Sequence, residues 1–229
     1  MKLLLSGIVF AGALALAQSP ASEHVLRLTA TTANVSGAPD SIRIDVLRWS
    51  TDAERDQLMA AWNMTAPAGG RAGRGGRGGG RGGGGGGRGG RGGEEAAAPA
   101  TPESTLAMAL EQIPTVGYLW SSEVAGYALR YAGKMAGPDG GERVILITDR
   151  RLGNANDLWK PADPVAATKY EFSVIELRIN AKGDGEGKTS LTGKVTPDSA
   201  AKMLTPENYD ALPVVLKNVK RRVEAVAGK

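Results

Sequence analysis

The 229-residue chain contains no cysteine. This absence excludes disulfide bonds, thiol nucleophiles and cysteine metal sites, so any folded domain depends on its hydrophobic core for stability. Histidine is almost as scarce, because His24 is the only one. One histidine cannot build the multi-histidine sites of zinc enzymes, and a Ser-His-Asp triad would have to use this residue near the start of the chain. The sequence therefore predicts no metal site, no cofactor and no catalytic nucleophile.

Long hydrophobic runs are also missing. The apolar stretch over residues 8–16 is too short for a membrane-spanning helix, which needs about 20 residues. It follows Lys2 and ends in a small-x-small pattern before Gln18, as secretory signal peptides do. We expect residues 1–17 to be a cleaved signal peptide; an uncleaved N-terminal anchor is the alternative. The prediction is a periplasmic or secreted protein with no transmembrane segment after cleavage.

The positive charge of the chain is concentrated in one segment. Residues 69–93 consist of 18 Gly, six Arg and one Ala. The whole chain has 28 basic and 24 acidic residues, but only 21 basic residues remain without Lys2 and the six tract arginines, which leaves a net charge of −3. This distribution excludes a globally basic nucleic-acid-binding domain. The glycine-rich, low-complexity composition predicts a disordered insert over residues 64–103.

The patterns on either side of the insert predict mainly antiparallel β structure. Strand formers alternate over 24–32 and 41–49, and further strands are expected near 116–120, 127–131, 144–147, 170–179, 189–195 and 212–219. The glycine run 183–187 is expected to be a turn. Without βαβ alternation, about seven or eight strands and two short helices indicate an α+β fold, whose sheet curls into a half-barrel or forms a sandwich.

Two short helices are expected beside the insert. Thr51 and Glu54 form a capping box before one, while Pro102, capped by Thr101 or by Ser104 in its place, opens the other. The part before the insert is too small to fold alone, so one domain interrupted by the insert is expected; two small lobes are the alternative. The division is signal peptide 1–17, first part of the domain 18–63, insert 64–103, remainder of the domain 104–222 and C-terminal tail 223–229.

Several segments together resemble a known family. They are residues 44–56, 116–118, 126–132, 147–150, 172–178, 185–188 and 207–209. Over most of 24–222 outside the insert, the chain resembles a family of small secreted bacterial hypothetical proteins of unassigned function. The resemblance implies a single exported domain. It assigns no functional residues. The typical member joins its two helices by a short segment, so the Gly/Arg-rich insert is a departure from the family.

The arginines of the tract are the first candidate binding residues. They are Arg71, Arg74, Arg77, Arg81, Arg88 and Arg91. Six permanent charges on a glycine-rich chain can hold an anionic polymer or an envelope component in a salt-dependent way. The tract has no aromatic residue on which bases could stack. A low-complexity spacer without a binding role is the alternative interpretation.

A ligand cleft is the second candidate site. The polar stretch 149–167 follows a predicted central strand and reads as the longest loop outside the insert. Loops of this kind carry binding residues more often than the strands beside them. The residues assigned to the cleft are Tyr118, Arg130, Asp149, Arg150 and Trp159. A salt-bridged sheet end without a ligand is the alternative.

Two functions remain open at this point. The first is a non-catalytic exported protein that binds a partner or an envelope component. The second is a small exported hydrolase that uses carboxylates, with Asp52, Glu54 or Asp149 acting beside Arg130. The hydrolase requires two of these carboxylates about 5–10 Å apart in one pocket.

Overall fold

The computed structural model describes residues 24–65, 99–121, 126–137, 140–154, 158–164 and 167–222. The strands are β1 (Leu26–Thr32), β2 (Val35–Ser36), β3 (Ser41–Val46), β4 (Gly117–Trp120), β5 (Gly126–Ala136), β6 (Glu142–Thr148), β7 (Lys160–Pro161), β8 (Val174–Ile179), β9 (Asp184–Thr189), β10 (Val195–Asp198), β11 (Met203–Pro206) and β12 (Leu216–Arg221). The helices are α1 (Asp52–Trp62), α2 (Pro102–Gln112) and a 3-10 turn, Tyr209–Ala211.

Eight of these strands form a closed barrel in the order β1-β12-β9-β8-β6-β5-β4-β3. Every neighbouring pair is antiparallel, and β1 completes the circle because it pairs with β12 on one side and β3 on the other. The predicted α+β class with a mainly antiparallel sheet is confirmed. The sheet closes completely, so it is neither a half-barrel nor a sandwich. Among the described residues, β2–β7 and β10–β11 form two further small sheets.

Side-chain alternation separates the inside of the barrel from its outer surface. Leu28, Ile44, Leu119 and Leu146 belong to one buried cluster that fills the interior. The neighbouring residues on each strand point outwards because successive side chains of a strand alternate between its two faces. The barrel interior is therefore a packed apolar core, and polar chemistry is confined to the outer face and the strand ends.

The two helices pack on the outside of the barrel. Thr51 and Glu54 form the predicted capping box of α1, and Thr101 caps α2 with Pro102 in its first turn. Leu58 of α1 shares a second buried cluster with Leu106 and Leu110 of α2 and with outward residues of β5, β6 and β8. The amphipathic helices thus cover one side of the barrel and leave the outer face of β1, β3 and β4 outside this cluster.

The glycine run 183–187 corrects the sequence prediction. Most of it is strand β9 rather than a turn, and the strand expected at 189–195 ends at Thr189. A Cβ at Gly187 would lie 2.5 Å from the Leu177 side chain, and one at Gly185 would collide with the Arg178 carbonyl oxygen. Glycine is used here because the backbones of neighbouring strands approach closely.

Candidate functional site

A row of polar and aromatic residues crosses the outer face of three neighbouring strands. Asp45 of β3 lies opposite Arg27 of β1 and Tyr118 of β4. The next outward position along these strands places Arg43 opposite Trp120. Directly opposed side chains on one face of a sheet are in contact range. The strand register therefore collects two arginines, one carboxylate and two aromatic rings from three separate parts of the sequence.

Asp45 is the centre of this cluster. Its carboxylate is almost completely buried, at 6% side-chain exposure. Oδ1 accepts the Nε–H of Arg27 at 2.9 Å, while Oδ2 accepts the Nε–H of Arg43 at 2.9 Å and the indole N–H of Trp120 at 2.9 Å. Two cations and a neutral donor compensate for the burial of the charge. In return, the carboxylate fixes the positions of all three side chains.

The two aromatic rings form one surface beside this carboxylate. The ring centroids of Tyr118 and Trp120 are 5.2 Å apart and tilted by 35°. The guanidinium carbon of Arg43 lies 5.3 Å from the centroid of the Trp120 ring. On the next strand, a Cβ at Gly126 would lie 2.9 Å from Cε3 of Trp120. Because glycine has no side chain, the indole of Trp120 can lie against strand β5 at Gly126.

Strand β12 extends the positive charge of this surface. Lys220 lies opposite Thr29 of β1, and the backbone N–H of Arg222 donates to the Arg27 carbonyl at 2.9 Å. Both basic residues are exposed. The combined surface carries four cations and the carboxylate of Asp45, and Asp184 of β9 lies opposite Lys220 at its border. We call it the basic-aromatic face, formed by Arg27, Arg43, Asp45, Tyr118, Trp120, Lys220 and Arg222.

Three residues of the predicted cleft lie on the neighbouring strands β4 and β5 and just after the end of β6. Tyr118 is opposite Ala128 of β5, whose carbonyl accepts the backbone N–H of Asp149 at 3.0 Å. Arg130 follows two residues later at an irregularity in the β5–β6 pairing and donates from Nη1 to the Ile113 carbonyl at 2.8 Å. Arg130 Nε and Asp149 Oδ1 are both buried, and neither has a hydrogen-bond partner among the described residues.

Arg150 and Trp159 occupy different environments. Arg150 is exposed, donates from Nη2 to the Gly126 carbonyl at 2.8 Å and lies 5.0 Å from the centroid of the Tyr127 ring. Trp159 is fully buried within the interior cluster of the barrel. The structure thus places Tyr118 and Arg130 on β4 and β5 and Asp149 and Arg150 just after β6, and it puts the Trp159 ring in the core.

Two of the three carboxylates proposed for a hydrolase, Glu54 and Asp52, are paired with neighbouring arginines. Glu54 accepts two hydrogen bonds from Arg48, at 2.6 and 2.9 Å, and one from the Thr51 backbone N–H at 2.8 Å. These interactions, above all the Arg48 side-chain hydrogen bond, lower the pKa of Glu54 to about 2. Asp52 is largely exposed and pairs with Arg55 at 2.8 Å. Both carboxylates stabilise the first turn of α1. Through Arg48, Glu54 also holds the segment between β3 and α1.

A second polar network lies under the β10–β11 hairpin. Glu176 is fully buried and accepts two hydrogen bonds from Arg143, at 2.9 and 3.0 Å, and one from Arg178 at 3.0 Å. Arg143 also donates to Asp198 of the hairpin at 2.9 Å. These groups line a cleft of about 330 Å³. Each of the four charges has an opposite partner, so the network fastens the hairpin to the barrel.

Arg178 also helps to hold the 3-10 turn. Its guanidinium carbon lies 3.7 Å from the centroid of the Tyr209 ring, and Nη1 donates to Asp210 at 2.8 Å. The buried ammonium of Lys188 donates to the Tyr209 carbonyl at 2.8 Å. Burial raises the pKa of Tyr209 well above its usual range. The ring therefore remains a neutral packing element.

The sequence patterns missed the centre of the basic-aromatic face. Alternation over 41–49 puts Arg43 and Asp45 on the same side of a predicted strand. For Trp120, the sequence predicts only that it lies in the strand near 116–120. Glu176 and Arg178, two charged residues in the otherwise apolar strand β8, are a sequence signal for the second polar network. Alternation cannot show the register between strands, and this register brings Asp45 to Trp120, 75 positions away.

Two other predicted features fall on residues that the structure does not describe. The signal peptide and the six tract arginines fall outside the described residues. Within the described ranges, no group of three or more His, Cys, Asp or Glu could hold a metal ion. No helix in that part of the chain has the length and apolar composition needed to cross a bilayer.

The chain was compared with known proteins on three levels. No protein-family model, no curated protein and no solved structure matches it. The resemblance to the secreted bacterial family therefore stays a prediction, and the function has to be inferred from the geometry of the chain itself.

Proposed function

We propose that this is an exported, non-catalytic binding protein, and that the basic-aromatic face holds its partner in the cell envelope. The observation that carries this proposal is the arrangement around Asp45, whose buried carboxylate holds Arg27, Arg43 and Trp120 at 2.9 Å each. Side chains that are already ordered lose little conformational entropy on binding. The basic-aromatic face is therefore preorganised for binding in the unbound protein.

The residue types of the face support the same conclusion. Trp, Tyr and Arg are the residues that contribute most to binding energy at protein interfaces. Here Trp120 and Tyr118 are half-buried, and Arg43 retains 43% side-chain exposure. A mixed surface of planar rings and guanidinium groups offers apolar contact together with directed hydrogen bonds.

The distribution of charge favours an anionic partner. The chain without Lys2 and the Gly/Arg tract carries a net charge of −3, whereas the four cations of the basic-aromatic face meet two carboxylates among the described residues, Asp184 opposite Lys220 and the buried Asp45. The Asp45 carboxylate already accepts three hydrogen bonds. A local positive surface on an acidic domain directs an anionic partner to one side of the molecule.

The environment of Glu54 argues against a role for this carboxylate as a general acid. A general acid needs a pKa near the working pH, but the pKa of Glu54 is lowered to about 2. Its two oxygens are engaged by Arg48 and Thr51. Glu54 is thus suited to a structural role at the start of α1.

The proposal can be tested by surface binding of the full-length protein. The probes are an acidic polysaccharide, a neutral polysaccharide, single-stranded DNA and anionic vesicles, each with the natural protein and with the double variant Arg43→Ser, Trp120→Phe. The matched control is Lys134→Ser, Trp49→Phe, because that cation and ring are also 5.3 Å apart but lie elsewhere.

We expect at least one probe to lose about tenfold or more in affinity with the Arg43/Trp120 variant, which corresponds to about 1.4 kcal/mol. The Lys134/Trp49 variant should bind like the natural protein. If both variants bind every probe like the natural protein, the basic-aromatic face is not the binding surface and the proposal fails.

A further inference from the structure

We infer that the ligand of the basic-aromatic face is an acidic saccharide, a sugar ring that carries a carboxylate. This inference rests on the proposed function and adds the chemical class of the partner. It depends on two features of the face: an arginine with unused donors and a flat ring beside it.

Arg43 supplies the group that would recognise the carboxylate. Within the described part of the chain, its only hydrogen bond is the one from Nε to Asp45. Its two Nη groups therefore keep their donors, and the side chain is 43% exposed. A guanidinium presents paired N–H groups that match the two oxygens of a carboxylate. Because Asp45 holds Nε, the position of the guanidinium group is fixed while its Nη donors stay unused.

Trp120 supplies the surface for the sugar ring. Its indole rests over Gly126 and is held by its hydrogen bond to Asp45. The ring is half-buried and therefore keeps part of its surface in contact with solvent. Arg43 lies over this ring and Gly126 lies against it, so the apolar C–H face of a pyranose would pack on the exposed remainder of the Trp120 and Tyr118 rings, with its hydroxyl groups in water. The distance of 5.3 Å between Arg43 and the ring places both groups within one sugar unit.

The same geometry disfavours single-stranded nucleic acid. Proteins that bind single strands use a series of separate rings on which successive bases stack. Here Tyr118 and Trp120 lie only 5.2 Å apart and contact each other, so they form one platform instead of two.

The test is titration calorimetry of the full-length protein with a trigalacturonate, its fully methyl-esterified form and an oligothymidylate of equal charge. The variants are Arg43→Ser and Trp120→Phe separately, with Lys134→Ser as the control. The ester keeps the sugar rings and removes the charge. The variants retain all six tract arginines, so any binding by the tract is unchanged in them.

We expect trigalacturonate to bind, and its affinity to fall about tenfold or more on esterification, with Arg43→Ser, and with Trp120→Phe. Equal binding of the ester and the acid overturns the inference, as does tighter binding of the oligothymidylate at this face; either result leaves the proposed function standing. If trigalacturonate binds equally well to the natural protein and to all variants, its site lies on another surface and the inference is wrong. If no variant changes the affinity for any of these three probes, the inference fails, and the four-probe comparison of the Arg43/Trp120 double variant decides the proposed function separately.

Discussion

The indole N–H of Trp120 donates to the same carboxylate oxygen of Asp45 that accepts the Nε–H of Arg43, each over 2.9 Å. The contact joins strands β3 and β4 across the helices and the insert, which lie between them in the chain. It makes the stability of this part of the barrel and the shape of the basic-aromatic face depend on one carboxylate.

Asp45→Ala should lower the free energy of unfolding by about 2 kcal/mol, because three donors lose a charged, buried acceptor. Urea unfolding followed by circular dichroism measures the change. Asp40→Ala is the control, since Asp40 is exposed at the turn before β3 and loses the same charge. Equal stability of the two variants would show that Asp45 has no special role.

Glu176→Gln should cost about 3 kcal/mol, because Arg143 and Arg178 then face a neutral group beneath the β10–β11 hairpin. The double variant Arg143→Met, Glu176→Leu removes both members of the main pair and should be more stable than Glu176→Gln alone. Urea unfolding of the two variants and the natural protein measures these differences in the free energy of unfolding. A double variant that is less stable than Glu176→Gln contradicts the expected balance of desolvation and pairing.

The contact between Glu54 and Arg48 should make stability dependent on pH in the acid range. The pKa of Glu54 is lowered from 4.5 to about 2 in the folded chain. A lowered folded pKa gives stability that is fully present above pH 4.5 and is lost as the pH falls towards 2. The natural protein should therefore be more stable than Glu54→Gln near neutral pH.

This difference should shrink between pH 4.5 and 2, because Glu54 becomes protonated and then resembles glutamine. Urea midpoints of both proteins at a series of pH values provide the measurement. Glu111→Gln, an exposed position near the end of α2, serves as the control. A difference that is constant over this pH range would refute the assignment to Glu54.

Gly153→Ala should be more damaging than Gly140→Ala, although both glycines have positive φ angles, of +79° and +71°. At Gly140 a Cβ meets nothing within 4 Å, so the cost is the backbone strain of about 1 kcal/mol. At Gly153 a Cβ collides with the Leu158 carbonyl oxygen, next to buried Trp159, and the loss should reach about 3 kcal/mol. Thermal unfolding compares the two, and equal losses would exclude the collision as the cause.

The Gly/Arg tract gives a separate prediction about polyanions. If its six arginines hold an anionic polymer, binding to single-stranded DNA should weaken with salt along a log–log slope of up to about −4. Replacing the six arginines with serine keeps the length of the tract and should remove this binding, as should deletion of residues 69–93. Fluorescence anisotropy at several salt concentrations measures the slope. Unchanged binding in both variants would identify the tract as a spacer.

The sequence by itself determined the local elements of this protein. The capping pattern at Thr51 and Glu54 specifies the start of α1 because it depends on residues only three positions apart. Period-two alternation likewise predicted β1 and β3, together with the α+β class and its antiparallel sheet. Local backbone geometry and short-range periodicity are sufficient for predictions of this kind.

Only the tertiary structure decided how these elements combine. Closure of the barrel depends on the pairing of β1 with β12 near the other end of the chain, and no local pattern encodes that pairing. The meeting of Asp45 with Trp120 and the burial of Trp159 depend on the same long-range register. Strand register is set by the packing of the whole core, so the candidate site became visible only when the barrel was complete.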